Sequence, residues 1–243
     1  MRAIYAVLAS CMVLLSGCAT SPEKTTQTDT ACSKIQNLAI AEDDNGFVTP
    51  DEAIRVLSAC ELQRRDTPAI VRASVLKMRS VAYGQIKDYS KAIADAEEVR
   101  RLLPARTAWD VIFMAALYRD SGQPEKALGL LRNMLKDHLG MSGKGTPPGM
   151  PSYYHLGLTL VALEKWPEAA EAFTEGLTYQ PDYIWAYMYR ALSFDAMNDS
   201  ERARADVREA QRLISMQKGK QQLIAQKSLG EAQFSVLLKK YRN

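Results

Sequence analysis

Side chains that do chemistry are scarce in this 243-residue sequence. Only two histidines occur, His138 and His155, too few for a histidine-rich metal site. No HExxH, GxSxG or CxxC motif is present, so the short signatures of zinc peptidases, serine hydrolases and dithiol redox centres are missing. Nor does one sign of charge dominate: 31 Lys and Arg face 28 Asp and Glu, scattered rather than blocked. Scattered charge reads as solvated helix faces, and so small an excess makes no case for nucleic acid. The sequence predicts no enzyme, no cofactor and no metal. Cysteine is sparse too, with Cys11, Cys18, Cys32 and Cys60 alone.

What the chain has instead is one pattern written four times. Align it on Tyr83, Tyr118, Leu160 and Phe194, at steps of 35, 42 and 34 residues. Three residues before each stands a small side chain: Ser80, Ala115, Gly157, Ala191. Nine after each stands alanine: Ala92, Ala127, Ala169, Ala203. Thirteen after come Ala96, Leu131, Phe173 and Val207. A period of this size means stacked two-helix units. Small residues mark where two antiparallel helices cross closely, and bulky ones fill the space beside the crossing. One hairpin cannot bury its own apolar face, so the copies must share a core.

The pattern resembles the tetratricopeptide repeat (TPR), over about 140 residues from Ala73 to Leu213. The third copy matches best, through Tyr153, Leu156, Gly157, Leu160, Ala169, Phe173 and Pro181. The fourth follows with Tyr187, Ala191, Phe194, Ala203 and Ala210, and the second with Met114, Ala115, Tyr118, Gly122, Ala127 and Leu131. The first has Leu76, Ser80, Tyr83, Ala92 and Pro104, but carries Arg79 at a usual leucine position and Ala96 where a larger residue is typical. The resemblance implies an all-α TPR superhelix with capping helices and four repeats over 73–213.

The N-terminus reads as a targeting segment. Arg2 precedes an apolar run, Ala3 to Leu15, that is broken only by Ser10 and too short to span a bilayer comfortably. It closes on Leu15-Ser16-Gly17-Cys18, which resembles the bacterial lipoprotein cleavage box. That implies diacylglycerol on the Cys18 sulfur, removal of 1–17, acylation of the new amine (palmitate-type chains), and a stable membrane anchor. The alternative is an ordinary secretory signal in which Cys18 is incidental. Ala19, where aspartate often retains lipoproteins of Gram-negative bacteria in the inner membrane, points to the periplasmic face of the outer membrane. Residues 18–30, with repeated Thr and with Ser, Pro, Glu, Lys and Gln, form a polar tether expected to be disordered.

From residue 31 to 243 the chain is expected to be one TPR-like domain. Ala31–Ala41 and Asp51–Leu62 form an N-terminal capping hairpin within 31–66, with Thr49 as cap and Pro50 as the first residue of its second helix. Cys32 and Cys60 come level across that hairpin, as a disulfide or as two buried thiols. A C-terminal capping helix is expected over 217–241, its apolar face made by Leu223, Ile224, Leu229, Phe234, Leu237 and Leu238. The 42-residue step contains an eight-residue insertion, Gly140-Met-Ser-Gly143-Lys144-Gly145-Thr146 and onward. It lacks the Gly-Lys-Ser/Thr ending and preceding strand of a phosphate loop, and reads as a mobile or extended connection.

A TPR stack offers a concave face built from the first helix of each repeat. By that resemblance the face carries Lys77, Gln85, Trp109, Ile112, Arg119, Tyr154, Leu158, Trp185, Met188 and Asp195. The two-lysine carboxylate clamp is not reproduced, since Val81 stands where asparagine is expected. For Trp109, Tyr154 and Trp185 the choice lies between a ligand surface and packing against neighbouring repeats. Similar lipoproteins serve pilus biogenesis, outer-membrane assembly and control of cell-wall enzymes. The expectation is therefore an adaptor that binds envelope proteins in its groove. A peptidoglycan- or glycan-binding module, with the three aromatics stacking on sugars, is the alternative.

Overall fold

The computed structural model of the chain describes residues 49–63, 68–104, 107–140, 143–219, 222, 227 and 232–241. The expected signal segment, the tether with Cys18, and the helix carrying Cys32 lie outside the described residues. Among the described residues the fold is all-α, with ten helices and one two-residue β-ladder. The chain forms two compact units, residues 1–105 and 106–243.

The first unit contains α1 (Pro50–Gln63), α2 (Ala69–Gln85) and α3 (Tyr89–Leu102). Thr49 caps α1 by accepting the Glu52 N–H at 3.3 Å, with Pro50 following at the first helical position, as the sequence predicts. Val56, Leu57 and Cys60 of α1 bury against Val75 of α2. Cys60 is 1 % exposed and disulfide-bonded. The α2–α3 crossing is close because Ser80 and Ala92 are both fully buried there, and the Ser80 hydroxyl donates to the Ala92 carbonyl at 2.6 Å.

The second unit holds three hairpins and a final helix: α4 (Ala108–Asp120) with α5 (Pro124–Lys136), α6 (Met150–Ala162) with α7 (Trp166–Tyr179), α8 (Ile184–Ala196) with α9 (Ser200–Met216), then α10 (Ala232–Tyr241). Ala115, Ala127, Ala169, Ala191 and Ala203 are all fully buried. At Gly157 the close approach is to Phe173, whose ring carbons would lie 2.5 Å from an added Cβ. Only glycine fits there.

The repeat is written into the backbone as well. Four residues after each aligned position the chain turns left-handed, at Lys87 (φ 63), Gly122 (φ 80), Glu164 (φ 57) and Asn198 (φ 60). One residue later the N–H of Asp88, Gln123, Lys165 or Asp199 returns to the carbonyl of Tyr83, Tyr118, Leu160 or Phe194, at 2.8–2.9 Å. This six-to-one bond, with its inner partner one residue in, is the Schellman ending of a helix.

Two segments differ from expectation. The insertion is not simply extended: β1 (Leu139–Gly140) and β2 (Gly143–Lys144) pair antiparallel. Thr146 and Pro147 fold so closely over Gly140 that a Cβ there would meet their atoms at 2.3–2.5 Å. After α9, Gln217 and Lys218 are not helical and Gly219 turns at φ 62, so no helix starts at 217. The C-terminal helix is described over Ala232–Tyr241. No helix among the described residues is long and apolar enough to cross a membrane.

Candidate functional site

The first helices of the three hairpins in the second unit, α4, α6 and α8, carry most of the expected groove residues. Their side chains form a run of packed rings. Tyr154 on α6 meets His155 edge-on at 5.5 Å, Tyr183 at 5.0 Å, and Phe173 and Tyr189 at 6.0 Å. Tyr189 on α8 meets Phe234 of α10 at 5.0 Å, and Phe234 lies over Trp185 at 6.2 Å and 30°. Offset and edge-on pairs of this kind add to what burial alone contributes.

Arg119 ends α4 beside this run, with only 9 % of its side chain exposed. Its Nε and Nη2 both reach one oxygen of Asp120 at 2.9 Å. Among the described residues, the buried polar side-chain atoms without a hydrogen-bond partner are Arg119 Nη1, His155 Nδ1 and Ser152 Oγ. Burial, helped by the Arg119 charge, pushes His155 down to about 3. Burial pushes the Tyr154 hydroxyl well above its ordinary value, with Tyr183 and Tyr189 adding to the effect. At the far end, Asp195 accepts from Lys240 Nζ at 2.6 Å and from the Tyr241 hydroxyl. Burial raises the Asp195 carboxyl, but those two donors outweigh it and hold the group below its ordinary range.

The expected groove residues therefore divide. Met188 is 0 % exposed and Ile112 2 %, and both belong to the core. Tyr154 and Leu158, at 8 %, are nearly as buried. For these four the packing alternative holds, because large side chains fill the space a groove would need: Tyr183 and Tyr189 pack around Tyr154, Leu156 packs on the cluster that holds Ile112, and Phe234, Leu237 and Tyr241 belong to the cluster that holds Met188. Tyr154, ringed by four aromatic neighbours, offers no face to a sugar. Trp109 and Trp185 remain half-buried. Lys77 is half-buried on α2 in the first unit. Among the described residues no group of three or more His, Cys, Asp and Glu is placed to hold a metal ion.

Sequence reasoning missed two buried ion pairs, Arg79–Asp95 and Arg190–Asp206, each doubly hydrogen-bonded at 2.7–2.8 Å. Arg79 at a usual leucine position was the signal for the first.

These helices define a TPR-like, all-α class of fold built from repeated hairpins. No protein-family profile matches the chain, and no curated protein matches it by sequence. Solved structures do match. MamA from residue 41 onward, from Desulfovibrio magneticus RS-1, is 18 % identical with a TM-score of 0.61, covering 79 % of this chain and 97 % of that one. Another MamA structure is 16 % identical with a TM-score of 0.57, covering 77 % and 92 %. MamA of MSR-1 is 17 % identical with a TM-score of 0.56, covering 77 % and 97 %. At such identities the likeness is one of fold.

Proposed function

We propose that the protein is a lipid-anchored periplasmic adaptor whose TPR-like hairpins bind segments of partner proteins in envelope assembly. Pilus biogenesis, outer-membrane assembly and control of cell-wall enzymes are the candidate settings. The observation that carries this reading is that Trp109 and Trp185, on first helices of the repeats, stay half-buried where Ile112, Tyr154, Leu158 and Met188 are in the core. Tryptophan and arginine are the side chains that most often anchor protein interfaces. A binding role also suits His155, because an imidazole held near 3 is a poor general base at neutral pH. Leu15-Ser16-Gly17-Cys18 supports the anchor at Cys18, and Ala19 supports the outer membrane. The bonded state of Cys60 supports its pairing with Cys32, which suits an oxidising periplasm.

The test is photo-cross-linking in cells from position 109, with membrane fractionation of wild type and Cys18→Ser. The expected result is a discrete set of envelope proteins cross-linked at 109, and loss of membrane association in Cys18→Ser. Wild-type protein that is soluble and free of lipid by mass spectrometry would remove the anchor. Capture of cell-wall glycan and no protein would replace the adaptor with the glycan-binding alternative.

A further inference from the structure

The helix that ends the described chain sits on the same face that the repeats offer to partners. Trp185 and Asp195 are the expected groove positions of the last repeat that stay outside the core, and α10 covers both. Phe234 stacks on Trp185, Phe234, Leu237 and Tyr241 are buried in the same cluster as α8, and Lys240 and Tyr241 bond Asp195. The contacts follow one direction, with the start of α10 at the start of α8 and the end of α10 at the end of α8. The binding pattern on α10 is short: an aromatic, a leucine three residues on, then Lys240-Tyr241.

We infer that this face of α8 is a helix-docking surface, filled at rest by α10, and that it accepts a partner helix of the same pattern by displacing α10. The inference rests on the adaptor reading and names the kind of segment it would take. Recognition of an amphipathic helix in a groove uses anchors at i, i+3 and i+7, as Phe234, Leu237 and Tyr241 are spaced.

Two observations favour a displaceable occupant over a fixed part of the core. First, α10 has ten residues, and isolated helices shorter than about 12–15 residues are marginal, so its order depends on docking. Second, it buries one face only. Val236 is 69 % exposed, and Lys239 faces solvent.

The test uses the full chain and a labelled peptide of residues 230–243 as the probe, read by fluorescence anisotropy. The comparison is wild type against Phe234→Ala/Leu237→Ala, which strips the resident helix of two anchors. The peptide should bind the double variant at least tenfold more tightly than wild type, and Asp195→Asn added to it should weaken that binding. Equal binding to the two chains overturns the inference. So does loss of cooperative melting in the double variant, because α10 would then be an indispensable cap. Lys240→Glu, which leaves every buried apolar group in place, gives a second reading: it too should raise peptide binding, and unchanged binding counts against displacement. A docked peptide with no envelope protein captured would strike the adaptor reading and leave this one standing.

Discussion

Arg190 holds Asp206 with two parallel hydrogen bonds, 2.8 Å from Nε and 2.7 Å from Nη2, across the α8–α9 crossing. Its Nη1 reaches back to the Thr174 hydroxyl on α7 at 3.0 Å. The first repeat makes the same arrangement, with Arg79 forked onto Asp95 and reaching the Ser58 hydroxyl at 3.3 Å. The equivalent pairs in the second and third repeats are Met114 with Leu130 and Leu156 with Ala172. One fold position is thus filled in two chemically opposite ways.

That alternation gives a stability prediction. Arg190→Leu strands the Asp206 carboxylate in a site where burial already raises its pKa in spite of Arg190, and should cost about 3–5 kcal/mol. Adding Asp206→Ala recreates the Leu156–Ala172 pair of the third repeat and should recover most of the loss. Urea unfolding at pH 7 measures both. Because the stranded carboxyl favours its protonated form, the deficit of the single variant should grow as pH rises from about 4 to 7. A double variant as weak as the single one would mean that the ion pair does more than fill the crossing.

The small-residue register was legible because a close helix crossing has a blunt steric requirement. The turn geometry repeats at Lys87, Gly122, Glu164 and Asn198, although only one of the four is glycine, so residue type alone did not reveal it. The groove was legible only as a set of positions. Whether a position faces solvent depends on its neighbours: Tyr183 and Tyr189 close over Tyr154, and Leu158 and Met188 are buried in the clusters of their repeats. Arg190 drew no notice because its value lies in a partner sixteen residues away.

Two glycine replacements should fail for different reasons. Gly157→Ala places a methyl against the Phe173 ring inside a packed crossing, and should cost about 1–3 kcal/mol by overpacking. Gly122→Ala meets no atom within 4 Å, yet its φ of 80 should cost about 1–2 kcal/mol in backbone strain. Adding Phe173→Leu should relieve the first variant and leave the second unchanged. Chemical denaturation of the two singles and two doubles decides whether the Gly157 contact is with Phe173.

His155 should make stability fall in mild acid. Its folded value of about 3 lies below the unfolded 6.5, so the unfolded chain binds the extra proton first. The contribution is complete above about pH 6.5 and shrinks as pH drops toward 3, reaching about 2 kcal/mol of loss by pH 5. Since carboxylates also titrate in that range, the measurement is the difference between wild type and His155→Phe. The variant should lose the part of the slope between pH 5 and 6.5. Identical slopes would mean that the imidazole reaches solvent.

The groove set should separate experimentally into surface and core. Trp109 is half-buried at the start of α4, where a bound segment can reach its ring. Met188 has no exposed surface, so any effect of replacing it must come through packing. Met188→Ala should lower stability by about 2–5 kcal/mol, and any loss of partner capture should follow the loss of fold. Trp109→Ala should reduce capture by tenfold or more while helical content and melting temperature stay near wild type, since removing an aromatic interface anchor commonly costs about 2 kcal/mol. Circular dichroism melts run beside quantitative cross-linking test both. If Trp109→Ala melts as early as Met188→Ala, its ring belongs to the core, and the partner surface must be sought on the β1–β2 connection.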